Sequence, residues 1–253
     1  MKGDDRLDAL QMTFADIHCH TLWGVDDGAK DAESMQKMLD AQYEEGVRYL
    51  CFTPHYHPGY YGHNEERAER AFAEAVSYCE KYPDLRLLLA NELHYAPECL
   101  SWIKGKTCRR LGQTRCVLID FRENEDEEAI VHGLSRLVNA GYVPILAHAE
   151  RYLHLNVATV GLLKQDGVLV QVNAASCLGG FGIRARAQAR RMLAKRMVDF
   201  VSSDAHNLTS RPPQLQRGYQ YIAKKYGAEY ATYVCRDHAV ARFFDKERKE
   251  NEP

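Results

Sequence analysis

Residues 116–148 read CVLIDFRENEDEEAIVHGLSRLVNAGYVPILAH, and this stretch decides the fold. It opens on the nearly continuous apolar run Cys116–Phe121 and passes through a helix-period segment, Glu127–Ala140, that Gly141 stops. It then returns to a second apolar run, Val143–Ala147, followed at once by His148. Strands that are apolar along their whole length must be covered on both faces, and a helix between two such strands is the usual connection of a parallel sheet.

Five more runs of the same kind lie outward from this unit: Phe14–Ile17, Val47–Thr53, Leu85–Ala90, Val168–Val172 and Val198–Ser202. Helix-period segments separate most of them. Asp31–Glu45 carries Met35, Met38, Leu39 and Tyr43 on one stripe, with Asp31 as N-cap and Gly46 as stop. Asn64–Tyr82 carries Ala68, Ala71, Phe72 and Ala75, and Ala187–Lys195 and Leu215–Tyr226 complete the set. Seven βα units fill a closed or nearly closed barrel, and no Pro/Gly/Ser linker or low-complexity tract divides them. The expectation is an α/β protein, a single-domain distorted (β/α)7 TIM-like barrel over residues 1–253, with 1–12 and 245–253 as flexible ends.

Composition narrows the function. A formal net charge of −2 supplies no basic field for nucleic acid and no polybasic anchor for a membrane surface. Apolar stretches such as Val143–Ala147 fall far short of the roughly 20 residues of a membrane helix, and polar Met1–Gln11 is no secretory signal, so the expected location is the cytoplasm. Eight scattered cysteines (Cys19, Cys51, Cys79, Cys99, Cys108, Cys116, Cys177 and Cys235) include no Cys-x-x-Cys pair, and several sit inside strand patterns. They read as reduced structural thiols.

The chemistry lies at the strand ends. The first strand runs into His18-Cys19-His20, the second into Pro54-His55-Tyr56-His57, and the third into Asn91-Glu92. The fourth ends near Asp120, the fifth at His148, the sixth at Asn173, and the seventh at Ser203-Asp204-Ala205-His206. In a parallel barrel these ends converge on one mouth. His18 and His20 stand two apart, so both imidazoles face the same way and reach one ion. Imidazole and carboxylate without thiolate suit manganese, iron or zinc, and several carboxylates favour a centre of more than one ion. His63, His94, His132, His154 and His238 fall on helix or loop patterns and read as surface or packing residues.

His18-Cys19-His20, the Gly24–Ala29 loop, Thr53-Pro54-His55, Asn91-Glu92, Ala147–Tyr152, Ser203–Leu208 and Arg211-Pro212-Pro213 together resemble the PHP (polymerase and histidinol phosphatase) superfamily. Within it they are most similar to the CpsB-type bacterial protein-tyrosine phosphatases of capsular and exopolysaccharide synthesis. The resemblance spans about Asp16 to Tyr226 and implies the PHP form of the barrel. It implies two or three divalent ions, manganese first and iron or zinc as alternatives, on His18, His20, Asp27, His55, Glu92, Asp120, His148, Asp204 and His206. It further implies phosphate-binding arginines at Arg151 and Arg211, whose guanidinium forks suit phosphate oxygens. Asp120 departs from the pattern, since these phosphatases typically carry the longer Glu there.

The implied reaction is metal-assisted hydrolysis of phosphotyrosine without a covalent enzyme intermediate, with His206 as a candidate proton donor. The implied partner is a phosphotyrosine protein, a bacterial tyrosine kinase that regulates polysaccharide export; an oligomer stays open. Tyr60 and Tyr61, beside His55, are candidates to stack on the substrate's phenol ring. Two rivals share or discard this chemistry: a small-molecule phosphatase of the histidinol-phosphate kind or a phosphodiesterase on the same metals, and a non-catalytic metal-binding scaffold. The Cys116-x5-Arg122 spacing of cysteine-dependent phosphatases is a decoy, because Val117–Phe121 is an apolar strand with no amide loop to cradle phosphate.

Overall fold

The computed structural model describes residues 12–245. The expected flexible ends lie almost wholly outside that range. The strands are β1 (Phe14–Asp16), β2 (Val47–Phe52), β3 (His55–Tyr56), β4 (Arg86–Leu89), β5 (Glu92–His94), β6 (Cys116–Asp120), β7 (Val143–Leu146), β8 (Leu169–Asn173) and β9 (Phe200–Ser202). All pair in parallel, as a three-stranded sheet β1-β2-β4 and a six-stranded sheet β3-β5-β6-β7-β8-β9. An isolated parallel bridge, Cys19 to Ala205, joins the ends beyond β1 and β9. Every run read as a strand is one, within two residues.

β3 and β5 go beyond the seven expected strands. They continue β2 and β4 beyond a break at Pro54, which has no N–H to give to a ladder. Pairing resumes past the break: Ala90 N donates to Phe52 O, and Glu92 N donates to Pro54 O. The expectation of a seven-unit barrel therefore meets an α/β, all-parallel half-barrel whose strands are split into two sheets.

The α-helices are α1 (Ala32–Glu44), α2 (Pro58–Tyr61), α3 (Glu65–Tyr78), α4 (Cys99–Lys104), α5 (Glu127–Asn139), α6 (Val157–Gln165), α7 (Ala174–Leu178), α8 (Gly182–Ala194), α9 (Leu215–Tyr226) and α10 (Ala228–Thr232), with 3-10 and π-helical turns among them. Asp31 caps α1 as expected, its carboxylate accepting from Ser34 N at 2.7 Å. Several elements differ from expectation. The Asn64–Tyr82 segment ends its α-helix at Tyr78 and closes in a 3-10 turn, Cys79–Lys81. α8 starts five residues before Ala187, because Gly182-Ile183-Arg184 adds an exposed turn with no apolar period. α6 is not expected from the sequence, because Val157, Thr159, Val160 and Gly161 are poor helix formers; the Asn156 cap, accepting from Ala158 N and Thr159 N, and packing of Val160 and Leu163 hold it helical.

Alternation along the strands distributes the core. In β6, Val117 and Ile119 pack outward with the helix residues Ile130, Leu134 and Leu137 of α5, while Cys116 and Leu118 belong to a second cluster with Ile17, Ile145 and Phe200. That inner cluster is completed by Phe243 from the second of two π-helical turns, Tyr233–Asp237 and Val240–Phe244, and by Ala239 between them. All eight cysteines are buried and none is in a disulfide, and Cys116 lies inside this core rather than in an anion-binding loop. Among the described residues no helix is long and apolar enough to cross a membrane.

Candidate metal centre

The C-terminal ends of the strands carry the expected residues to one place. Three groups of side chains bring ligand atoms within 4.8 Å of one another: His20, Asp27, His55 and His206; His18, His20 and Glu92; and His55, Glu92 and Asp120. His20, His55 and Glu92 each belong to two groups, so the three are contiguous.

Glu92, 1% exposed, is the hub. Its Oε1 lies 3.3 Å from His18 Nε2 and 2.9 Å from His148 Nε2; its Oε2 lies 3.2 Å from His20 Nε2 and 2.9 Å from His55 Nδ1. Asp204 Oδ1 stands 3.5 Å from the Nε2 atoms of both His18 and His20. Asp27 Oδ1 reaches His55 Nε2 at 3.4 Å and His206 Nε2 at 3.5 Å. Asp120 Oδ1 is 3.6 Å from His148 Nε2.

The backbone makes concessions to this convergence. His148 (φ 32°) and Asp204 (φ 51°) both adopt left-handed conformations just past β7 and β9. Such positions cost on the order of 1–3 kcal/mol each and collect at functional sites. The chain also turns tightly at Gly28, where a Cβ would fall inside the carbonyl oxygen of His20. Only glycine lets the Asp26-Asp27 loop close over the imidazoles.

The donor set fits metal ions, on evidence internal to the hydrogen bonding. The Nδ1 atoms of three histidines face pure acceptors: His18 the Gln171 amide oxygen at 3.1 Å, His20 Asp26 Oδ2 at 2.7 Å, and His206 the Asp204 carbonyl at 3.0 Å. Each Nδ1 therefore carries the proton, and each Nε2 turns a lone pair inward. The Nε2 atoms of His18 and His20 face each other at 3.3 Å, and His206 Nε2 is buried with no hydrogen-bond partner. Inward lone pairs among ionised carboxylates need cations.

Without metal, protons must take that place. Burial disfavours charge on His18, but Glu92 and Asp204 outweigh it and lift its pKa to about 9. His55 is likewise raised well above the ordinary value, against its burial, by Glu92 and Asp27. The carboxylates move oppositely: burial opposes their charge, yet His18 draws both Glu92 and Asp204 well down, and His20 draws Asp26 down. His206 is the exception, pushed down to about 4 by burial and by the charge of His20.

Asp204 also faces outward. Its Oδ2 accepts from Asn173 Nδ2 at 2.7 Å, Arg211 Nη2 at 2.6 Å and Arg151 Nη1 at 3.3 Å. Arg151 is additionally gripped by Glu123, and its charge is stabilised by Asp204 and Glu123 despite burial. Tyr61 stacks on the His55 ring with centroids 5.3 Å apart, and Tyr60, 75% exposed, meets Tyr61 edge-on.

Sequence reasoning overlooked four supporting residues. Asp26 accepts from His20, Gly28 N and His55 N. Gln171 accepts from His148 N at 2.7 Å while facing His18. Glu123 holds Arg151. His94, read as a packing residue, points Nδ1 at Asp120 Oδ2 at 2.9 Å and stacks on His57. Signals existed for two: Gln171 is a polar residue inside the apolar strand Val168–Val172, and His94 shares a strand face with Glu92 two residues earlier.

Comparison with known proteins gives one answer. A family model described as "Capsular polysaccharide synthesis, CpsB/CapC" matches residues 14–243. The tyrosine-protein phosphatase CpsB of Streptococcus pneumoniae is 34% identical over 231 residues, covering 88% of this chain and 95% of that protein. The tyrosine-protein phosphatase YwqE of Bacillus subtilis is 30% identical over 219 residues, 85% of each chain. Among solved structures, one from a study of YwqE from Bacillus subtilis and CpsB from Streptococcus pneumoniae, described as metal-dependent tyrosine phosphatases, superposes with a TM-score of 0.76 at 28% identity. It covers 86% of this chain and 89% of that one. A D-hydantoinase from a Thermus species, at 8% identity and a TM-score of 0.52, shares the fold alone.

Proposed function

The chain belongs to the CpsB/CapC family, and from that premise we propose that it is a metal-dependent protein-tyrosine phosphatase acting on phosphotyrosine, on a bacterial tyrosine kinase of capsule or exopolysaccharide synthesis. The observation that carries this reading is Asp204. One of its oxygens faces the imidazoles of His18 and His20 at 3.5 Å, and the other gathers Arg151 and Arg211. A phosphoryl group bound beside it would have the candidate metal-holding imidazoles on one side and two guanidiniums on the other, the combination phosphoryl transfer calls for. The relatives' names favour this over the small-molecule phosphatase, phosphodiesterase and scaffold readings.

In this reading His18, His20, Asp27, His55, Glu92, Asp120, His148, Asp204 and His206 hold two or three divalent ions, manganese first. Bound there, the ions would neutralise phosphate charge and activate water. The chain's own residues do the rest. Arg151 and Arg211 bind and orient the phosphoryl oxygens, their forks fixed by Asp204 and Glu123. Asp26 and Gln171 hold the protons of His20 and His18 on Nδ1, keeping Nε2 free. His206, with a pKa near 4, is neutral at physiological pH and serves as a ligand. The proton-donor role expected of it from sequence is thereby weakened, and a tyrosine phenolate, whose conjugate acid has a pKa of about 10, departs with little help. Tyr60 and Tyr61 receive the phenol ring.

The same proposal covers the architecture and setting. The two sheets are one distorted seven-stranded barrel, interrupted at Pro54 and closed through the Cys19–Ala205 bridge; the chain is a single domain, working in the cytoplasm. The test is hydrolysis of an aryl phosphate and a phosphotyrosine peptide by metal-stripped protein re-supplied with Mn²⁺, Fe²⁺, Zn²⁺ or Mg²⁺, beside a His18→Ala, His20→Ala variant and Cys116→Ser. Metal-restored activity, lost with the histidines and indifferent to Cys116, is expected. Metal-independent activity that dies with Cys116 overturns the mechanism, and a phosphotyrosine peptide left intact while the aryl phosphate turns over overturns the substrate.

A further inference from the structure

Arg151 and Arg211 come from different loops, past β7 and past β9, yet both deliver a guanidinium to the single oxygen Oδ2 of Asp204. Two cations converging on one acceptor repel each other and need further restraint. Arg151 has one in Glu123, which takes its Nε at 2.9 Å. Among the described residues Asp204 is the carboxylate that pairs with Arg211, with no second one as for Arg151, and the Arg211 Nε is buried without a hydrogen-bond partner. What both share is the Phe181 ring, whose centroid lies 4.8 Å from Arg151 Cζ and 5.8 Å from Arg211 Cζ.

The chain goes to some length to put that ring there. Phe181 sits in the turn between α7 and α8, flanked by Gly179 (φ 103°) and Gly182 (φ 86°), left-handed positions that ordinary side chains resist. The turn is closed by Gly180 N donating to Ala175 O at 2.9 Å and Gly182 N donating to Gly179 O at 3.2 Å. Nothing in such a turn calls for an aromatic residue. Its ring, however, offers a negative face to two cations that a polar side chain would compete for and an aliphatic one would not attract.

We propose that Phe181 is a positioning residue whose ring restrains the guanidiniums of Arg151 and Arg211, keeping their remaining N–H groups aimed at a phosphoryl group beside Asp204. The inference rests on the assignment of those arginines to phosphate.

The experiment uses the full-length, metal-loaded enzyme with p-nitrophenyl phosphate as substrate and inorganic phosphate as competitive inhibitor. Phe181→Leu, which keeps bulk and removes the ring, should raise KM and the phosphate inhibition constant together by about five- to tenfold, with kcat within about twofold. Phe181→Tyr should recover most of that loss. An unchanged inhibition constant in Phe181→Leu, or a Tyr variant as impaired as the Leu one, overturns the proposal. So does a rise in KM alone, which would mean that the ring contacts the leaving group. Should Phe181→Leu fold poorly, a cycle of Phe181→Tyr and Phe181→Trp against Arg211→Lys decides instead: coupling supports the proposal, and independent effects overturn it. Wild-type phosphate inhibition in both Arg151→Ala and Arg211→Ala would sink the arginine assignment itself, a result distinct from failure at Phe181.

Discussion

Raising the pH on metal-stripped protein exposes the competition between protons and metal at the centre. His18 is fully buried, and its pKa stands at about 9 in the folded chain against 6.5 for an ordinary imidazole. A pKa raised by folding contributes stability that is complete below 6.5 and is lost as the pH rises through 9. For this one buried group the difference amounts to roughly 3 kcal/mol. At about 2–4 °C per kcal/mol for a domain of this size, the melting temperature should fall by about 6–12 °C between pH 6.5 and pH 9. His55, raised for the same reason, adds to the fall. The carboxylates Glu92, Asp26 and Asp204 are held below their ordinary range and stay ionised throughout this window. The thiols contribute little, since burial pushes Cys19 up to about 12 and others in the same direction. A divalent ion replaces the protons, so the gain in melting temperature on adding Mn²⁺ should grow with pH. Thermal melts at four pH values, with chelator and with Mn²⁺, measure both slopes. A chelated protein whose melting temperature is flat from pH 6.5 to 9, or a metal gain that shrinks with pH, refutes the reasoning.

Three further outcomes are expected. Gly28→Ala should lose roughly 3 kcal/mol or more, because its methyl meets the His20 backbone and not a movable side chain; a melting temperature within about 2 °C of the parent would contradict this. His94→Ala should free the Asp120 carboxylate and weaken the most loosely held ion by about tenfold, read as bound metal per chain after dialysis against a metal buffer; full stoichiometry at the parent's affinity would count against it. Replacing Tyr60 and Tyr61 by Ala should raise KM on a phosphotyrosine peptide by about fivefold while sparing a small aryl phosphate, and steady-state kinetics on the two substrates would show equal effects if the two tyrosines have no part in binding.

Much of this was written into the chain locally. Apolar runs marked all seven principal strands because a strand covered on both faces is mostly apolar, and most of the candidate ligands followed because they stand where those runs stop. What the residues could not announce is what depends on neighbours distant in sequence. β3 and β5 are two- and three-residue ladders beyond Pro54 that exist only because the main chains there still face each other. The two π-helical turns around Ala239, the second of which carries Phe243 into the inner cluster, have no local period to recognise. The anchors Asp26 and Glu123 look like any loop carboxylate until folding places them beside His20 and Arg151. Phe181 belongs with these, since its meaning lies in two arginines remote from it in the chain.

The eight thiols distributed through the core have a practical consequence. Each is covered in the native state, on elements as separate as Cys51 in β2, Cys99 in α4, Cys177 in α7 and Cys235 in the closing π-turn. A maleimide can reach a given sulfur only during an excursion that uncovers it, so residue-by-residue alkylation rates, read by mass spectrometry, act as clocks of local opening across the core. Run with and without metal, they would show whether the ions steady the mouth alone or the entire scaffold.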